Sequence, residues 1–433
     1  MNWQDYYKSR MTSVEEAVKA VKSGDRVVLG HACGEPQLIV DALVNRASEL
    51  INVEIAHEVP MGKGLYCRPE YEKSFRHNAL FSGKPSRQAI KEGRADYTSI
   101  YLHELPALFR SGVFPIDVAM VTVSPPDEEG MVSLGISVDY TLQAVKSAKT
   151  VIAEVNPNMP RTGPTSMLPV QEFDYFVEAD IPLIELDPPV IGEVEKIIGQ
   201  NIADLIKDGD CLQLGIGAVP DAILSFLSDK KDLGIHSEMI SDGVMKLVQS
   251  GVINCSRKTY YPNKIVIAFA MGTSTFYKWL DNNPMIEGLP VDVTNIPANV
   301  AQNDNMVAIN SALSVDLLGQ VAADTLPGVQ FSGVGGQVDF VRGTADSKGG
   351  RAIIALPSTA AKGTVSRIVN TLAPGQAVTT GRYDVDYIVT EYGAAHLKWK
   401  TNRERAKALI NIAAPEYRDQ LRFEYESLYA PLG

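Results

Sequence analysis

The chain has 433 residues, 45% apolar and 21% charged, a balance that suits a soluble globular protein of two or three domains and excludes disordered, collagenous and coiled-coil chains. Its 52 acidic residues against 40 basic ones leave a net charge of -12, so there is no general basic face for nucleic acid or an anionic membrane. The longest apolar run, Ile265–Met271, is far short of the roughly 20 residues that span a bilayer. The opening MNWQDYYKSRMTS has no apolar core of a signal peptide. Cys33, Cys67, Cys211 and Cys255 are scattered without a CxxC pair, which reads as reduced thiols in a cytoplasmic protein. No metal site is expected: there is no HxH or HExxH, and after His57-Glu58 it is Met61 that stands where a second histidine would be needed. Neither GxSxG nor GxxxxGK[ST] occurs.

In chain order, short apolar runs predict strands at Arg26–Leu29, Val53–Ile55, Val118–Val123, Thr150–Val155, Cys211–Leu214, Lys264–Phe269, Met306–Ile309, Arg351–Leu356 and Tyr387–Thr390. Helical periods fall at Val14–Val21, Leu38–Ala47, Val194–Ile206, Ala222–Leu227, Asp242–Gln249 and Arg403–Ile412. Strands alternating with helices indicate an α/β fold with a largely parallel sheet.

The chain also repeats itself. Val21-Lys-Ser-Gly-Asp-Arg-Val-Val-Leu-Gly30 reads like Ile206-Lys-Asp-Gly-Asp-Cys-Leu-Gln-Leu-Gly215. Ile55-Ala-His-Glu58 parallels Ile235-His-Ser-Glu238, Val138-Asp139-Tyr140 parallels Val338-Asp339-Phe340, and Lys149–Ala153 resembles Arg351–Ala355. Four matches in the same order predict two related open α/β domains, 1–188 and 189–433, meeting near Asp187-Pro-Pro189. Clefts between such halves are common ligand sites.

Two glycine turns are candidates for binding. Leu214-Gly-Ile-Gly-Ala-Val-Pro-Asp221 reads as strand, turn and helix, with Pro220 expected at the first helical position. Backbone N–H groups at Gly215 and Gly217 suit a phosphate, carboxylate or oxyanion; a tight turn that binds nothing is the alternative. The dinucleotide fingerprint fails, because Pro220 takes the place of its third glycine. Ser332-Gly-Val-Gly-Gly-Gln337 reads either as a ligand-facing loop or as a bulge or hairpin. Glu238 alone is one of 52 acidic residues, and Glu58 holds the equivalent place in the first half, so position alone does not choose between them.

Taken together, Gly215–Ala222, His236-Ser-Glu-Met239, Asn310–Asp316, Gly333–Gln337, Ala355-Leu-Pro-Ser-Thr359 and Val389-Thr-Glu-Tyr-Gly393 resemble the acetyl-CoA hydrolase/transferase family, which are two-domain class I coenzyme A transferases. The resemblance covers essentially the whole chain. It implies that Glu238 is the nucleophile, that Gly335 and Gly336 supply the backbone N–H for an oxyanion and contact CoA, and that Gly215, Gly217, Ala218, Val219 and Ser332 bind CoA. Asn295 matches, across a one-residue gap, an asparagine facing the thioester oxygen. His31 and Gln213, flanking the ends of the duplicated strands, are placed in the substrate pocket.

The resemblance further implies transfer of CoA between an acyl-CoA such as acetyl-CoA or butyryl-CoA and a short-chain carboxylate, with 4-hydroxybutyrate the expected acid, through a glutamyl-CoA thioester at Glu238. CoA would be substrate rather than resident cofactor, and the protein a cytoplasmic homodimer or higher homo-oligomer. A hydrolase on the same scaffold and a non-catalytic acyl-CoA sensor are the competing readings. Lys348, Arg351, Lys362 and Arg367 are candidates for the CoA phosphates, each with a plain surface charge as its alternative.

Overall fold

The structure, a computed structural model, describes residues 2–432. Its chain divides into two compact units: one runs to Asp187 and also takes in Val266–Thr294, a stretch beyond the sequence boundary expected near 188; the other comprises Pro188–Ile265 and the chain from Asn295 onward.

In the first unit, apolar runs between Gly-Asp and Asn turns form β1 (Arg26–Leu29), β2 (Val53–His57), β3 (Phe75–Ala79), β4 (Ala95–Tyr97), β5 (Val118–Val123), β6 (Thr150–Val155) and β7 (Tyr175–Glu178). They assemble in the order β4-β3-β2-β1-β5-β6-β7, with every pair parallel. All of β5 is buried, as a central strand covered on both faces must be. Helix α1 (Gln37–Asn45) buries Ile39, Val40, Leu43 and Val44 along one stripe, packed on a core of Val27, Leu29, Ile55 and Met120. A short helix, α2 (Thr141–Ser147), follows the Val138-Asp-Tyr motif.

The second unit uses the same plan. Its strands are β8 (Cys211–Leu214), β9 (Gly234–Ile235), β10 (Met306–Ser311), β11 (Arg351–Ala355), β12 (Tyr387–Thr390) and β13 (Gly393–His396), ordered β9-β8-β10-β11-β12-β13. Only β13 runs antiparallel. Helices α3 (Glu193–Ala203), α4 (Ala218–Ser225), α5 (Asp242–Gln249), α6 (Gln337–Asp346), α7 (Asn402–Asn411) and α8 (Arg418–Leu428) belong to this unit. Helix α4 begins at Ala218, so Pro220 sits third in the helix rather than first; its missing N–H still falls in the first turn, where no intrahelical partner exists.

The repeat is preserved down to register. Val27 pairs with Ile55 on one side and Val118 on the other; its counterpart Leu212 pairs with Ile235 and Val307. Glu58 and Glu238 therefore leave the carboxyl ends of equivalent strands. The same Gly-Asp turn is closed the same way twice: Lys22 N donates to Asp25 Oδ2 at 2.7 Å and Lys207 N donates to Asp210 Oδ2 at 2.7 Å. The fourth sequence match is out by one residue, since Val118 pairs with Thr150 while Val307 pairs with Arg351; a one-residue slip exchanges the two faces of a strand. The corrected register exposes a fifth match, Asp174-Tyr-Phe-Val177 with Asp386-Tyr-Ile-Val389. In both, the aspartate Oδ2 accepts from a neighbouring strand, from Val151 N at 2.9 Å and Ala352 N at 3.3 Å.

Strand β6 carries a buried carboxyl group, Glu154. Glu154 Oε2 accepts from the N–H groups of Leu38 at 2.8 Å and Ile39 at 3.2 Å, capping α1 from the sheet. Burial outweighs these bonds and pushes its carboxyl from an ordinary value of 4.5 up to about 7. The folded chain thus holds a proton that the unfolded chain releases, and the contribution of this residue to stability falls as pH rises from about 4.5 to about 7. Glu154→Gln has no proton to lose. Its stability relative to the parent is expected to improve by on the order of 2–3 kcal/mol between pH 5 and 8, read by denaturant unfolding; a difference that does not change with pH contradicts this.

Candidate active site

Parallel α/β sheets present their loops at the carboxyl ends of the strands, and ligands gather where the strand order reverses. In the second unit that point lies between β8 and β10. The loop leaving β8 is the Gly215 turn. Gly217 adopts φ +116°, a conformation that glycine alone reaches without strain, and α4 starts immediately after it. The space beside Gly217 is open, and Ile216 is 47% exposed. Gly215, Gly217, Ala218 and Val219 are all accessible. Gln213, inside β8, is buried and accepts from Asn310 Nδ2 of β10 at 3.0 Å.

Glu238 lies in the bend after β9. The preceding Ser237 pins this bend to the end of β8: its hydroxyl donates to Met239 O at 2.7 Å and accepts from Leu214 N at 3.2 Å. Glu238 itself is only partly buried. Asn295, wholly buried, donates from Nδ2 to Glu238 Oε2 at 2.7 Å. Gly336 completes the arrangement. A Cβ built there would overlap the Glu238 carboxylate and lie 2.5 Å from Asn295 Nδ2, so no larger residue fits without displacing the carboxylate. Gly336 is also the N-cap of the ten-residue helix α6, whose positive end favours a carboxylate beside it. The second glycine run is thus the start of a helix rather than a hairpin. Gly335 turns the chain with φ +52°, and Ser332, half-buried, sits just upstream.

His31 belongs to the first unit. It is 1% exposed, with Nδ1 at 3.2 Å from Asp139 Oδ2, Nε2 at 3.9 Å from Glu58 Oε2, and its ring against Phe269 at 4.4 Å. Glu58 is therefore a buried residue, 3% exposed, whereas its register counterpart Glu238 is accessible. Glu238, Asn295 and Gly336 are brought into direct contact; Gln213 joins the neighbouring strand end through Asn310.

Two of the four basic candidates are engaged elsewhere: Arg351 pairs with Asp210 and Lys348 with Asp304 at 3.5 Å. Arg367 is partly buried, and burial pushes its guanidinium down. Lys362 is exposed on a turn in which Ala361, Lys362 and Gly363 all have positive φ. Lys258 is a further residue beside the site, outside the set expected from the sequence. It is buried and donates from Nζ to Ile235 O at 2.8 Å and Lys264 O at 2.7 Å, tying down the strand that leads to Glu238. A lysine offers no sequence signal for such a role, because lysines are almost always exposed. Among the described residues no group of three His, Cys, Asp or Glu is arranged to hold a metal ion, and no helix is long and apolar enough to cross a membrane.

Comparison with known proteins gives the family of the chain. Residues 1–185 match the acetyl-CoA hydrolase/transferase N-terminal domain and residues 272–425 the C-terminal domain. A 4-hydroxybutyrate coenzyme A transferase of Clostridium kluyveri is 55% identical over 429 residues, which is 99% of this chain and all of that protein. A succinyl-CoA:cyclohexane-1-carboxylate CoA transferase of Geobacter metallireducens is 46% identical, covering 97% of this chain and 96% of that one. The crystal structure of a 4-hydroxybutyrate CoA-transferase from Porphyromonas gingivalis matches with a TM-score of 0.85 at 42% identity, over 99% of this chain and all of that one. With both domain models matched in order and relatives aligned from end to end, this chain belongs to the acetyl-CoA hydrolase/transferase family.

Proposed function

We propose that the protein transfers CoA between an acyl-CoA and a short-chain carboxylate, with Glu238 as the covalent relay and 4-hydroxybutyrate as the preferred acid. The observation that carries the proposal is the contact of an accessible Glu238 carboxylate with Asn295 Nδ2 and the side-chain-free Gly336. The naming of the Clostridium and Porphyromonas relatives for 4-hydroxybutyrate supports the choice of acid.

Exchanging one thioester for another of similar energy requires neither ATP nor a metal. What it requires is a nucleophile that is ionised at neutral pH and reaches the acyl carbon. Glu58 leaves an equivalent strand but is buried; Glu238 is the accessible member of the pair. Glu238 attacks the acyl-CoA carbonyl and CoA leaves as thiolate, giving a mixed anhydride. The thiolate then attacks the glutamyl carbonyl and releases the first carboxylate, leaving the glutamyl-CoA thioester. The incoming acid attacks that thioester and the steps run in reverse, which predicts ping-pong kinetics.

Asn295 Nδ2, bonded to the carboxylate in the resting chain, is suited to track the developing charge onto the tetrahedral oxygen, with backbone N–H at Gly335–Gly336 and the positive end of α6 beside it. Gly215, Gly217, Ala218, Val219 and Ser332 offer backbone and hydroxyl groups for CoA, whose remote binding energy is available for positioning. Gln213 and His31 are assigned to the substrate pocket. CoA acts as substrate, in a cytoplasmic protein. A homodimer is part of the same proposal and rests on the family resemblance.

Three outcomes test this. Acyl-CoA consumption should depend on an added carboxylate; consumption at the same rate without one would make the protein a hydrolase instead, and binding without turnover a sensor. Glu238→Gln should lower kcat by roughly 10³-fold or more while CoA still binds. Gly336→Ala should lower kcat by roughly 10²–10³-fold by driving the carboxylate from Asn295, with folding unchanged by circular dichroism; near-parental turnover in either variant removes Glu238 from the role assigned to it.

A further inference from the structure

The transfer chemistry needs the Glu238 carboxylate held in one place, yet Glu238 follows β9, a strand of two residues at the edge of its sheet. An edge strand presents a row of N–H and C=O groups with no neighbouring strand to pair them. Gly234 N donates to Asp210 O at 2.9 Å and His236 N to Leu212 O at 3.1 Å, both toward β8. The N–H and C=O of Ile235, between them, therefore face away from β8. The chain that follows α5 pairs with this edge only in part. Leu233 and Ile253 form an isolated parallel bridge, and Asn254 N and Cys255 N both donate to Leu233 O at 3.1 Å. At Cys255, with φ +57°, the chain turns away, and side chains take over from the backbone. The Cys255 sulfur accepts from the Ile235 N–H, and Lys258 Nζ donates to Ile235 O at 2.8 Å. The same ammonium donates to Lys264 O at 2.7 Å, at the end of the same turn.

We propose that Lys258 is a positioning residue for Glu238: its ammonium stands in for a missing strand beside β9 and fixes the carbonyl three residues before the nucleophile. The inference rests on the CoA-transfer reading and adds a residue to it. Each of the three residues before Glu238 is held by a different part of the second unit. Ile235 is held by Lys258, and Ser237 by the end of β8. The His236 ring meets Tyr260 at 5.8 Å and Phe340 at 6.3 Å. Phe340 belongs to α6, whose N-cap Gly336 abuts the carboxylate, so the bend is set against that helix as well. Lysine is a costly choice for this place. It is 6% exposed, burial pushes its pKa down, and a buried ammonium is expensive unless its donors are used. What it offers is three N–H groups on one atom, enough to join carbonyls from two segments. Gly234 makes room for the stem: a Cβ there would lie 2.6 Å from Lys258 Cγ. Its φ lies outside the left-handed region, so this close approach is what calls for a glycine.

The test is Lys258→Met, which keeps the stem and removes the donors. Two quantities are read: the rate at which acetyl-CoA forms the Glu238 thioester in a single turnover, normalised to folded protein, and the Kd for CoA by calorimetry. Thioester formation and kcat should fall by roughly 10- to 100-fold, as expected for a displaced nucleophile, while the Kd is unchanged. A lysine that serves stability alone gives a different result: less folded protein, each molecule of which reacts at the parent rate. Should Lys258→Met fail to fold, Gly234→Ala decides, because its methyl group presses on the lysine stem; kcat should fall by about 10-fold or more with CoA affinity retained. Parent-like turnover per folded molecule in the variant that is read, or a loss confined to CoA affinity, overturns the proposal while the transfer reading stands. A parent protein that forms no thioester at Glu238 and transfers CoA to no acid defeats the transfer reading and this proposal with it.

Discussion

The site turns on one contact: a glutamate carboxylate, an asparagine amide at 2.7 Å, and a glycine with no room for a Cβ. Each partner constrains the others. Glu238 is held by the bend after β9, which Ser237 ties to the end of β8. Asn295 is wholly buried and cannot swing away. Gly336 caps the first turn of α6, and having no Cβ it lets the start of that helix lie against the carboxylate. A carboxylate in water is a weak nucleophile because water solvates it well. Here, part of that solvation is replaced by one amide donor and a helix end, both in place before any substrate arrives.

The two units show how one plan diverges. Strand order, register and even the aspartates that tie neighbouring strands are shared. Glutamates leave equivalent strands in both, yet Glu58 is sealed beside His31 while Glu238 is accessible. The loop after the first strand differs as well. In the second unit it is a glycine turn with open space beside it; in the first it carries Glu35 into a mainly apolar cavity. A common sheet thus supports a polar, backbone-lined surface in one copy and a side-chain-lined pocket in the other.

Much of this is legible in the residues. Arg26–Leu29, Val118–Val123, Thr150–Val155, Cys211–Leu214 and Tyr387–Thr390 are strands with the expected bounds, because buried parallel strands read as continuous apolar runs. β3 is not, since Phe-Arg-His-Asn-Ala alternates buried and polar positions and hides a buried histidine. α6 is masked because it comes after three glycines and begins with Gln337. The choice between Glu58 and Glu238 has no basis in position, as their strands are equivalent; it needs burial.

Everything in the proposed chemistry depends on the glutamyl thioester forming on Glu238. Incubating the protein with acyl-CoA, reducing with borohydride and mapping the modified residue by mass spectrometry reads that intermediate directly. Reduction at Glu238, dependent on acyl-CoA and lost when the acceptor acid is added first, is the predicted result. Modification at Glu58, or unmodified protein that still exchanges CoA between acids, would contradict it.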